Sequence, residues 1–400
     1  MSRKVELLAP AGSLDRLKIA YLYGADAVYI GGRDYSMRAN AKNFSLGEIK
    51  EACLFAHQLG KKVYVTVNIV FHQEDYEGLV IYLKKLASYG VDAIIVSDMA
   101  VIDLVKENHI DIPIHISTQM SNANAEAVMY LKNEGVERVV LARECSYDDI
   151  RDIIEKTGIE VECFLHGAMC SSYSGRCVLS NYFTGRDANR GGCAQICRWC
   201  FDLENEEHKD VIADTQFTMS CKDLSMIYNL KEMIELDIVS LKVEGRMRSN
   251  YYIATVISTY REAIDCYYNG TLDSLKLEYF SKVLNRVANR ESTSQFFSKF
   301  PGVEEQYFLG RQEVSNQDFL GIVIDYDEDN KEVILEQRNY FKKNDMVEFF
   351  GPNIDTFSYQ IPDIYDEEGN LLEVARHPKE IIRFKLDTKV YKNDIMRIKI

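Results

Sequence analysis

The chain has 400 residues, 46% hydrophobic and 27% charged, a length that allows about two to three domains or one large barrel with an appendage. The formal net charge of −15 argues against indiscriminate nucleic-acid binding, which depends on Lys and Arg neutralising phosphates, but it is compatible with a local basic face. No apolar run approaches the ~18 residues of a membrane span, and the opening MSRKVELLAP lacks the apolar core of a signal peptide, so a reducing cytoplasm is expected.

The first part of the chain repeats a strand-then-helix pattern. The opening run KVELLAP stops at Pro-Ala-Gly, which is typical of a buried strand ending in a turn. Ser13 then caps a helix that closes at Gly24. Similar apolar runs recur, with helical patterns between nearly all of them. The predicted strands cover residues 4–10, 25–32, 62–70, 92–98, 113–119, 138–144, 161–167 and 238–246.

This count and order indicate the fold class. Eight strands in βα alternation over about 250 residues are typical of an α/β fold with a TIM-like (β/α)8 barrel. A doubly wound sheet is the alternative, but it rarely needs eight strands in unbroken alternation, and no GxGxxG follows the first strand to indicate dinucleotide binding. The sequence therefore predicts a barrel with a cysteine-rich insertion after the seventh strand.

The remainder of the chain changes character. Two helical patterns at 250–270 and 277–289 come first, and short alternating strands with turn signals follow from about Phe319. These strands predict a small C-terminal antiparallel β-barrel. The predicted domains are a barrel at 1–270 that contains the cysteine-rich segment at 161–221, a helical connector at 271–317 and a β-domain at 318–400.

Polar residues cluster where the predicted barrel strands end. Because that face of a (β/α)8 barrel carries the chemistry, the active site is expected there. Each of these polar residues, taken alone, has an interpretation without catalysis, since strand-end polar side chains often only cap the following helix. The strand-end residues are Asn68, Asp98, Ser117, Thr118, Gln119, Arg143, Glu144, His166, Lys242, Glu244 and Arg246.

Six of the ten cysteines crowd into residues 161–200, and Cys221 follows soon after. Burial explains scattered cysteines but not crowding, and disulfides need an oxidising compartment. Zinc favours two Cys-x2-4-Cys pairs, whereas Cys170 and Cys177 form a wider Cys-x6-Cys pair. Two irregularly spaced pairs joined by a loop suit a cubane iron–sulfur cluster, with zinc and structural thiols as the alternatives.

Other chemistries use residues of the same segment. Cys193, Cys197 and Cys200 have the C-x3-C-x2-C spacing of radical S-adenosylmethionine enzymes. That motif usually follows the first barrel strand, and here it would leave the Cys-x6-Cys pair without a role. His166 lies four residues before Cys170, so a Cys–His dyad is an alternative, as is a hydrogen-bonded core histidine. HExxH is absent, and SSYSGRC does not fit the serine-hydrolase elbow.

Arginines and aromatic residues accompany the cysteines. Arginine offers bidentate donors for a carboxylate or phosphate, although a solvated charge is the simpler interpretation of most of them. The Gly-rich stretch RDANRGG at 186–192 predicts either an anion cradle or a turn that brings the two cysteine pairs together. Trp199 and the group Tyr173, Tyr182 and Phe183 either stack on a base or pack around the cluster. The arginines are Arg143, Arg176, Arg186, Arg190, Arg198 and Arg246.

Longer motifs make the sequence recognisable. They are LLAPAG at 7–12, ExFxxGAMC at 162–170, GxCxLS at 175–180, RGGCAQICRW at 190–199, SCKDL at 220–224 and LKVEGR at 241–246. Together they resemble the collagenase-like peptidase family (family U-thirty-two) over essentially the whole chain. Within that family the chain is most similar to the branch of prephenate-dependent tRNA uridine hydroxylases, which make 5-hydroxyuridine at the wobble position. Other members hydroxylate a ribosomal cytidine, or ubiquinone precursors without oxygen.

The resemblance implies a 4Fe–4S cluster. The ligands that it implies are Cys170, Cys177, Cys193 and Cys197. Cys200 and Cys221 depart from the usual family pattern, and some relatives take their fourth ligand near Cys221. The fourth ligand is therefore open among Cys197, Cys200 and Cys221.

The resulting hypothesis is an iron–sulfur-dependent tRNA hydroxylase that acts without oxygen and takes the hydroxyl group from prephenate, a dicarboxylate. Arg143, Arg186 and Arg246 are expected to bind prephenate. A collagenase-like peptidase that uses Cys170 or a metal-bound water is one alternative, and a non-catalytic RNA-binding iron–sulfur protein is the second. The predicted catalytic residues are Arg143, His166, Arg186, Glu244 and Arg246.

The acidic composition leads to one further prediction. If RNA is the substrate, basic residues should concentrate on one face of the molecule. That face is expected around residues 186–198 and at the turn that carries Lys342 and Lys343.

Overall fold

The computed structural model of the protein describes residues 4–37, 43–202, 204–205, 207, 217–287, 290–308 and 318–399. Eight strands of its first sheet form a closed parallel barrel, which confirms the predicted fold class. The strands of this sheet are β1 (Glu6–Pro10), β2 (Ala27–Gly31), β3 (Lys62–Val67), β4 (Ala93–Val96), β5 (Ile114–Ile116), β6 (Arg138–Val140), β7 (Glu160–Gly167), β8 (Asp223–Ser225), β9 (Ser240–Val243) and β10 (Ser292–Thr293).

The barrel closes through β9. This strand pairs in parallel with β1 on one side and with β7 on the other. Its residue Leu241 lies opposite Leu7 of β1 and opposite Cys163 of β7. The cysteine-rich insertion therefore falls between the seventh and eighth barrel strands, as predicted. Within it, β8 pairs antiparallel with the end of β7, and β10 pairs with β8.

Side-chain caps start most of the barrel helices. Ser13, Ser45 and Ser146 each accept a hydrogen bond from a backbone N–H of the first turn. Asp98 also acts as a cap, because its Oδ1 accepts from the Ala100 N–H at 2.9 Å, and it forms a side-chain hydrogen bond with Tyr76. The helices are α1 (Leu14–Leu22), α2 (Leu46–Gln58), α3 (Leu79–Ser88), α4 (Met99–Glu107), α5 (Ala125–Asn133), α6 (Tyr147–Thr157), α7 (Leu179–Thr184), α8 (Leu230–Glu235), α9 (Asn250–Tyr268) and α10 (Ser274–Val287). Within the described ranges, no helix is long and apolar enough to cross a membrane.

The barrel strands are buried on both faces, which explains why they read as continuous apolar runs. On β2, Val28 and Ile30 belong to the large core that the strands share with the helices. The alternate residues Ala27 and Tyr29 belong to a smaller cluster with Tyr64 of β3. Full burial of each large apolar side chain stabilises the fold by roughly 1.5–3 kcal/mol.

The C-terminal residues form a separate antiparallel sheet with its own core, which includes Leu335, Phe349, Phe384 and Met396. Its strands alternate buried and exposed residues, as on β12, which explains their period-2 pattern. The strands of this sheet are β11 (Phe319–Asp327), β12 (Glu332–Gln337), β14 (Met346–Gly351), β15 (Ile354–Gln360), β16 (Ile364–Tyr365), β17 (Leu371–Leu372), β19 (Ile381–Lys385) and β20 (Ile395–Ile398). A separate two-stranded sheet consists of β13 (Phe341–Lys342) and β18 (Val374–Ala375).

This sheet packs on helices of the barrel. The ring of Tyr251 on α9 stacks on Phe319 with centroids 4.8 Å apart and an interplanar angle of 3°. The Tyr23 hydroxyl, just after α1, donates to the carbonyl of Asn393 at 2.7 Å. Since Tyr251 lies on α9 and Tyr23 directly follows α1, the C-terminal domain is attached to the helical layer of the barrel.

Candidate active site at the strand ends

A pocket of about 210 Å³ opens at the ends of the barrel strands. One wall is formed by residues 168–201, which we call the cysteine segment. The rest comes from the strand ends, as predicted for a (β/α)8 barrel. The polar strand-end residues of the lining are Thr66, Asn68, Ser117, Thr118, Gln119, Arg143, Lys242, Glu244 and Arg246.

Besides Arg198 of the cysteine segment, three cationic side chains from the barrel strand ends meet in this pocket. Lys242 and Arg246 are only 5% and 6% exposed, and Arg143 is half-buried. Burial lowers the pKa of the Lys242 ammonium, and the charges of Arg246 and Arg143 lower it further, while Glu162 acts in the opposite direction. Cations that repel one another in a partly dry pocket favour the binding of an anion with more than one acidic group.

Arg143 is the cation with the most unused donors. Its guanidinium carbon lies 3.6 Å from the centroid of the Phe164 ring, and Nη1 donates a 3.3 Å hydrogen bond to the Ser174 hydroxyl. Within the described part of the chain it forms no ion pair. The Phe164 ring therefore fixes the plane of a guanidinium that can still donate bidentate hydrogen bonds.

Arg246, in contrast, is held on several sides. Its Nη1 donates to the hydroxyls of Ser36 at 2.9 Å and Thr66 at 3.2 Å, and its Nη2 donates to the carbonyl of Met37. The guanidinium packs so closely on Gly31 that a Cβ there would lie 2.2 Å from Nη1. Arg246 thus ties the ends of β2 and β3 to the loop after β9 and keeps a fixed charge at the pocket.

A column of buried charges continues from Lys242 into the barrel. Lys242 Nζ donates to Glu162 at 2.9 Å, and Arg138 donates to Glu162 at 3.3 Å and to Glu6 at 2.7 Å. The Tyr64 hydroxyl donates to the other oxygen of Glu6 at 2.7 Å. Barrel interiors are usually filled with branched apolar side chains, so this column is a departure that orients Lys242 from below.

Four cysteines line the pocket, and they are those that the resemblance implies as cluster ligands: Cys170, Cys177, Cys193 and Cys197. Burial raises the pKa of the Cys177 and Cys197 thiols, and the nearby Cys170 and Cys193 raise both further. Burial raises the pKa of Cys221 to about 12, and its thiol neighbours are Cys170 and Cys197. Soft thiolates are the donors that iron–sulfur clusters require, so the residues present fit such a group.

The structure also limits what these thiols can bind. Within the described residues, no three His, Cys, Asp or Glu side chains converge as the ligands of a single metal ion would. A cubane cluster places each thiolate on a different iron and so accepts sulfurs that stand farther apart. Cys221 lines a second cavity behind the cysteine segment, together with Cys170 and Cys177, whereas Cys200 lines neither cavity.

The Gly-rich stretch 186–192 brings the two cysteine pairs together. Asn189 Nδ2 donates to the Cys177 carbonyl at 2.9 Å, which links this stretch to the first pair. Arg190 forms a bidentate ion pair with Asp75 at 2.5 and 2.9 Å and so anchors the stretch to the loop after β3. These contacts favour the interpretation as a structural turn over that as an anion cradle, because they occupy Arg190.

A close backbone approach seats the first pair on the barrel. Gly175 has a φ of +78°, and a Cβ there would lie 2.3 Å from the carbonyl oxygen of Gln119. Only glycine tolerates both conditions. Ser121 strengthens the same contact, because its hydroxyl donates to the Ser174 carbonyl at 2.7 Å.

Two of the predicted catalytic residues lie away from the pocket. His166 is 4% exposed, its Nδ1 is 3.3 Å from the Tyr260 hydroxyl, and its ring packs edge-on against Tyr260. Burial lowers its pKa to about 3. Arg186 is exposed on the outer surface of the cysteine segment. The structure therefore brings together Arg143, Glu244 and Arg246 but neither His166 nor Arg186.

A β-bulge explains the position of His166. Period-2 alternation places Glu162, Phe164 and His166 on one face of β7. The pairing of β7 with β9 shifts between Phe164 and His166. His166 therefore lies opposite Val243, whereas regular pairing would place it opposite Glu244. The bulge turns the imidazole toward α9, and a Cys–His dyad with Cys170 does not form.

Sequence reasoning gave too little weight to the residues that shape the floor of the pocket. Tyr29 and Phe164 line it, and Lys242 Nζ lies 4.4 Å from the centroid of the Tyr29 ring. For Phe164 the signal was its position two residues before the strand-end residue His166 on β7, because residues at i and i+2 of a regular strand share one face.

Comparison with known proteins matches two family models. Peptidase family U32 matches residues 12–307, and the peptidase family U32 C-terminal domain matches residues 315–397. A Bacillus subtilis protein named "tRNA hydroxylation protein P1" is 49% identical over 99% of this chain and 95% of its own length.

Two further relatives carry different names. An Escherichia coli protein named a 23S rRNA 5-hydroxycytidine synthase is 39% identical over 66% of this chain and 40% of its own length. A Porphyromonas gingivalis protein named "Collagenase" is 34% identical over 77% of this chain and 74% of its own length.

Proposed function

This chain belongs to peptidase family U32, and we propose that it is a tRNA-modifying enzyme that hydroxylates the wobble uridine to 5-hydroxyuridine. A relative that matches almost the whole chain is named for tRNA hydroxylation, and a more distant one for the synthesis of 5-hydroxycytidine in rRNA. Both names describe the hydroxylation of RNA, and the second names a pyrimidine hydroxylated at position 5.

The observation that carries the proposal is the composition of the pocket. Four cationic side chains, three aromatic side chains and four thiols line one cavity at the strand ends. Tyr29 and Phe164 offer flat surfaces for a pyrimidine ring, and Asn68 and Gln119 offer amide groups for its polar edge. A site of this kind suits an uncharged base together with an anionic co-substrate.

The co-substrate that we propose is prephenate, a dicarboxylate. Arg143 supplies a planar guanidinium for one carboxylate, and Lys242 supplies a buried ammonium for the other. Arg246 supplies a fixed positive charge at the pocket, since its guanidinium donates hydrogen bonds to Ser36, Thr66 and Met37. Support comes from the repulsion among these cations, which an anion would relieve.

The chemistry needs a defined electron balance. Exchange of the uracil C5–H for C5–OH breaks one C–H bond, forms one C–O bond and removes two electrons from the base. In the simplest balanced form, a donor written D–OH transfers its oxygen and leaves as D–H, so the donor takes up the two electrons. This chain contributes binding of both partners in one cavity and the exclusion of bulk water by the cysteine segment.

We propose that the four pocket cysteines hold a 4Fe–4S cluster: Cys170, Cys177, Cys193 and Cys197. Such a cluster, when bound, supplies one-electron transfer or a Lewis-acidic iron. Cys221 is the competing fourth ligand, because Cys170 and Cys197 are among its neighbours. Cys200 is the weakest of the three because it lines neither cavity.

A peptidase function finds less support. The relative named "Collagenase" belongs to the same family, but His166 is buried against Tyr260 and lies outside the pocket that Cys170 lines. A Cys–His nucleophile would need the two side chains within hydrogen-bond reach.

Anaerobically purified protein tests the proposal. The wild-type protein is incubated with tRNA from a deletion strain, with and without prephenate labelled with ¹⁸O in its hydroxyl group, and the nucleosides are analysed by mass spectrometry. Labelled 5-hydroxyuridine is the expected product. Unmodified tRNA, or 5-hydroxyuridine formed equally well without prephenate, would contradict the substrate or the donor respectively.

Iron and sulfide assays test the cluster. We expect about four irons per chain in the wild type and a loss of most of them in Cys193→Ala. Cys200→Ala is the matched control and should keep its iron. The pair Cys197→Ala and Cys221→Ala identifies the fourth ligand, since only one of the two should lose the cluster.

A further inference from the structure

The cysteine segment is a positively charged part of an acidic protein. Residues 168–201 contain four arginines and one aspartate, a net charge of +3, against −15 for the whole chain. The C-terminal domain is acidic as well, because residues 318–399 contain 12 Lys and Arg against 18 Asp and Glu. An RNA backbone is therefore attracted to the cysteine segment.

Exposed aromatic side chains mark the same segment. Tyr182 and Phe183, on α7, are 85% and 54% exposed. Phe183 contacts Trp199 and Phe201 edge-on, with ring centroids 6.2 and 6.1 Å apart, so it is held in place while much of it faces solvent. A soluble protein gains nothing in stability from a rigid exposed aromatic group, and such patches usually bind a partner.

These side chains border the pocket. Leu179 and Ser180 of the same short helix line the cavity, as does Arg198, which is next to Trp199. A ligand on the outer surface of α7 is therefore next to residues that line the pocket. Arg186 follows α7 directly, and within the described ranges its side chain has neither an ion pair nor a hydrogen bond.

We propose that these residues form a docking surface for a single-stranded RNA loop, which we call the aromatic surface: Tyr182, Phe183, Arg186 and Trp199. Loop bases stack on Tyr182 and Phe183, and Arg186 contacts a phosphate beside them. A neighbouring loop nucleotide then enters the pocket. This inference rests on the proposed function, because it takes the substrate to be RNA.

The chemistry favours a loop over a duplex or a protein. A paired base is stacked on its own neighbours and cannot stack on Tyr182, whereas a loop base can. Arg186 and the net positive charge of the cysteine segment suit phosphates.

Fluorescence anisotropy with the full-length holoprotein tests the aromatic surface. The probes are an RNA stem-loop with a seven-nucleotide uridine-containing loop and a blunt RNA duplex of equal charge. Tyr182→Ala should weaken stem-loop binding by about 5- to 150-fold and leave duplex binding unchanged, because stacking of one base contributes about 1–3 kcal/mol. Tyr182→Phe should bind as the wild type does, since it keeps the ring.

The control variant is Tyr130→Ala, which removes a tyrosine on α5 that is 58% exposed. It should bind RNA as the wild type does. Arg186→Ala should reduce the slope of log Kd against log salt by about 0.7, as expected for one phosphate contact on a single strand. Iron content and thermal unfolding of each variant show that the fold is intact.

The outcomes separate this inference from the proposed function. If the wild type hydroxylates tRNA but Tyr182→Ala binds the stem-loop as tightly as Tyr130→Ala, the aromatic surface is wrong and α7 serves another partner. An equal loss of affinity for the stem-loop and for the duplex would also overturn the inference, because it would indicate that the surface binds RNA by charge alone and not by base stacking. If Tyr182→Ala selectively loses the stem-loop while the wild type forms no 5-hydroxyuridine, the surface stands and the proposed reaction fails.

Discussion

Phe164 and His166 stand two residues apart on β7, yet only Phe164 faces the pocket. The bulge between them reverses the side of the sheet that the second residue occupies. The Phe164 ring packs against the guanidinium of Arg143, whose carbon lies 3.6 Å from the ring centroid, and His166 is buried against Tyr260. One local irregularity thus decides which side chain lines the pocket and which supports the barrel wall.

Arg143 offers the sharpest test of co-substrate binding. Arg143→Ala should raise the KM for prephenate by roughly 10- to 150-fold, because a hydrogen bond to a charged group contributes about 1.5–3 kcal/mol. Arg143→Lys should recover little, since an ammonium cannot bind a carboxylate bidentately or stack on Phe164 in the same way. Initial rates at saturating tRNA measure both. Arg151→Ala, on the exposed surface of α6, is the control, and an unchanged KM in Arg143→Ala would contradict the assignment.

Glu162 is expected to control stability. Glu162→Gln removes the charge that lies between Arg138 and Lys242, which leaves two buried cations facing each other. The expected decrease in the free energy of unfolding is about 3–5 kcal/mol, measured by urea denaturation. Glu160→Gln removes a more exposed partner of Arg138 and should change it by about 1 kcal/mol or less. Equal effects of the two variants would argue against the buried column.

Gly31 should matter because of Arg246. A methyl group at Gly31 would lie 2.2 Å from Nη1 of Arg246 and 2.3 Å from the Ser36 hydroxyl, so Gly31→Ala must displace the guanidinium. We expect a loss of about 1–3 kcal/mol of stability and a higher KM for the co-substrate. Gly47→Ala is the matched control, because no atom lies within 4 Å of its new Cβ. Thermal unfolding and steady-state kinetics of the pair make the comparison.

His166 gives a pH dependence with a definite sign. Its pKa is lowered to about 3 in the folded protein, so the unfolded chain, with an ordinary pKa near 6.5, binds the proton first as the pH falls. The contribution of His166 to stability is therefore present above pH ~6.5 and is lost below it, by about 1.4 kcal/mol per pH unit down to pH ~3. His166→Asn should show a flatter decline between pH 6.5 and 5 than the wild type. The surface variant His109→Asn should follow the wild type, and parallel curves for wild type and His166→Asn would refute the prediction.

The barrel itself could be predicted because its rules are local. Apolar runs, Pro and Gly breaks and Ser or Asp caps locate each strand and helix within a few residues. The strand ends then locate the pocket, and alternation within 240–244 places Lys242 and Glu244 in it together.

The details that escaped prediction depend on contacts between distant parts of the chain. Arg246 binds Ser36, which is 210 residues away, and no spacing in the sequence indicates that partnership. The bulge at His166 arises from pairing with β9, and β9 is separated from β7 by the whole insertion. The outward position of Arg186 follows from the turn that joins the two cysteine pairs, and the sequence alone left that turn indistinguishable from an anion cradle.

The charge column in the barrel has a consequence for how this protein can evolve. Glu6, Arg138, Glu162 and Lys242 sit on four different strands and compensate one another's charges, with Tyr64 and the more exposed Glu160 as further partners. A replacement at any one of these positions leaves a buried charge at another position without its partner. Single replacements are therefore disfavoured, and joint replacements are tolerated better. Among related sequences these positions should therefore be inherited as one unit, either kept together or exchanged together for an apolar filling.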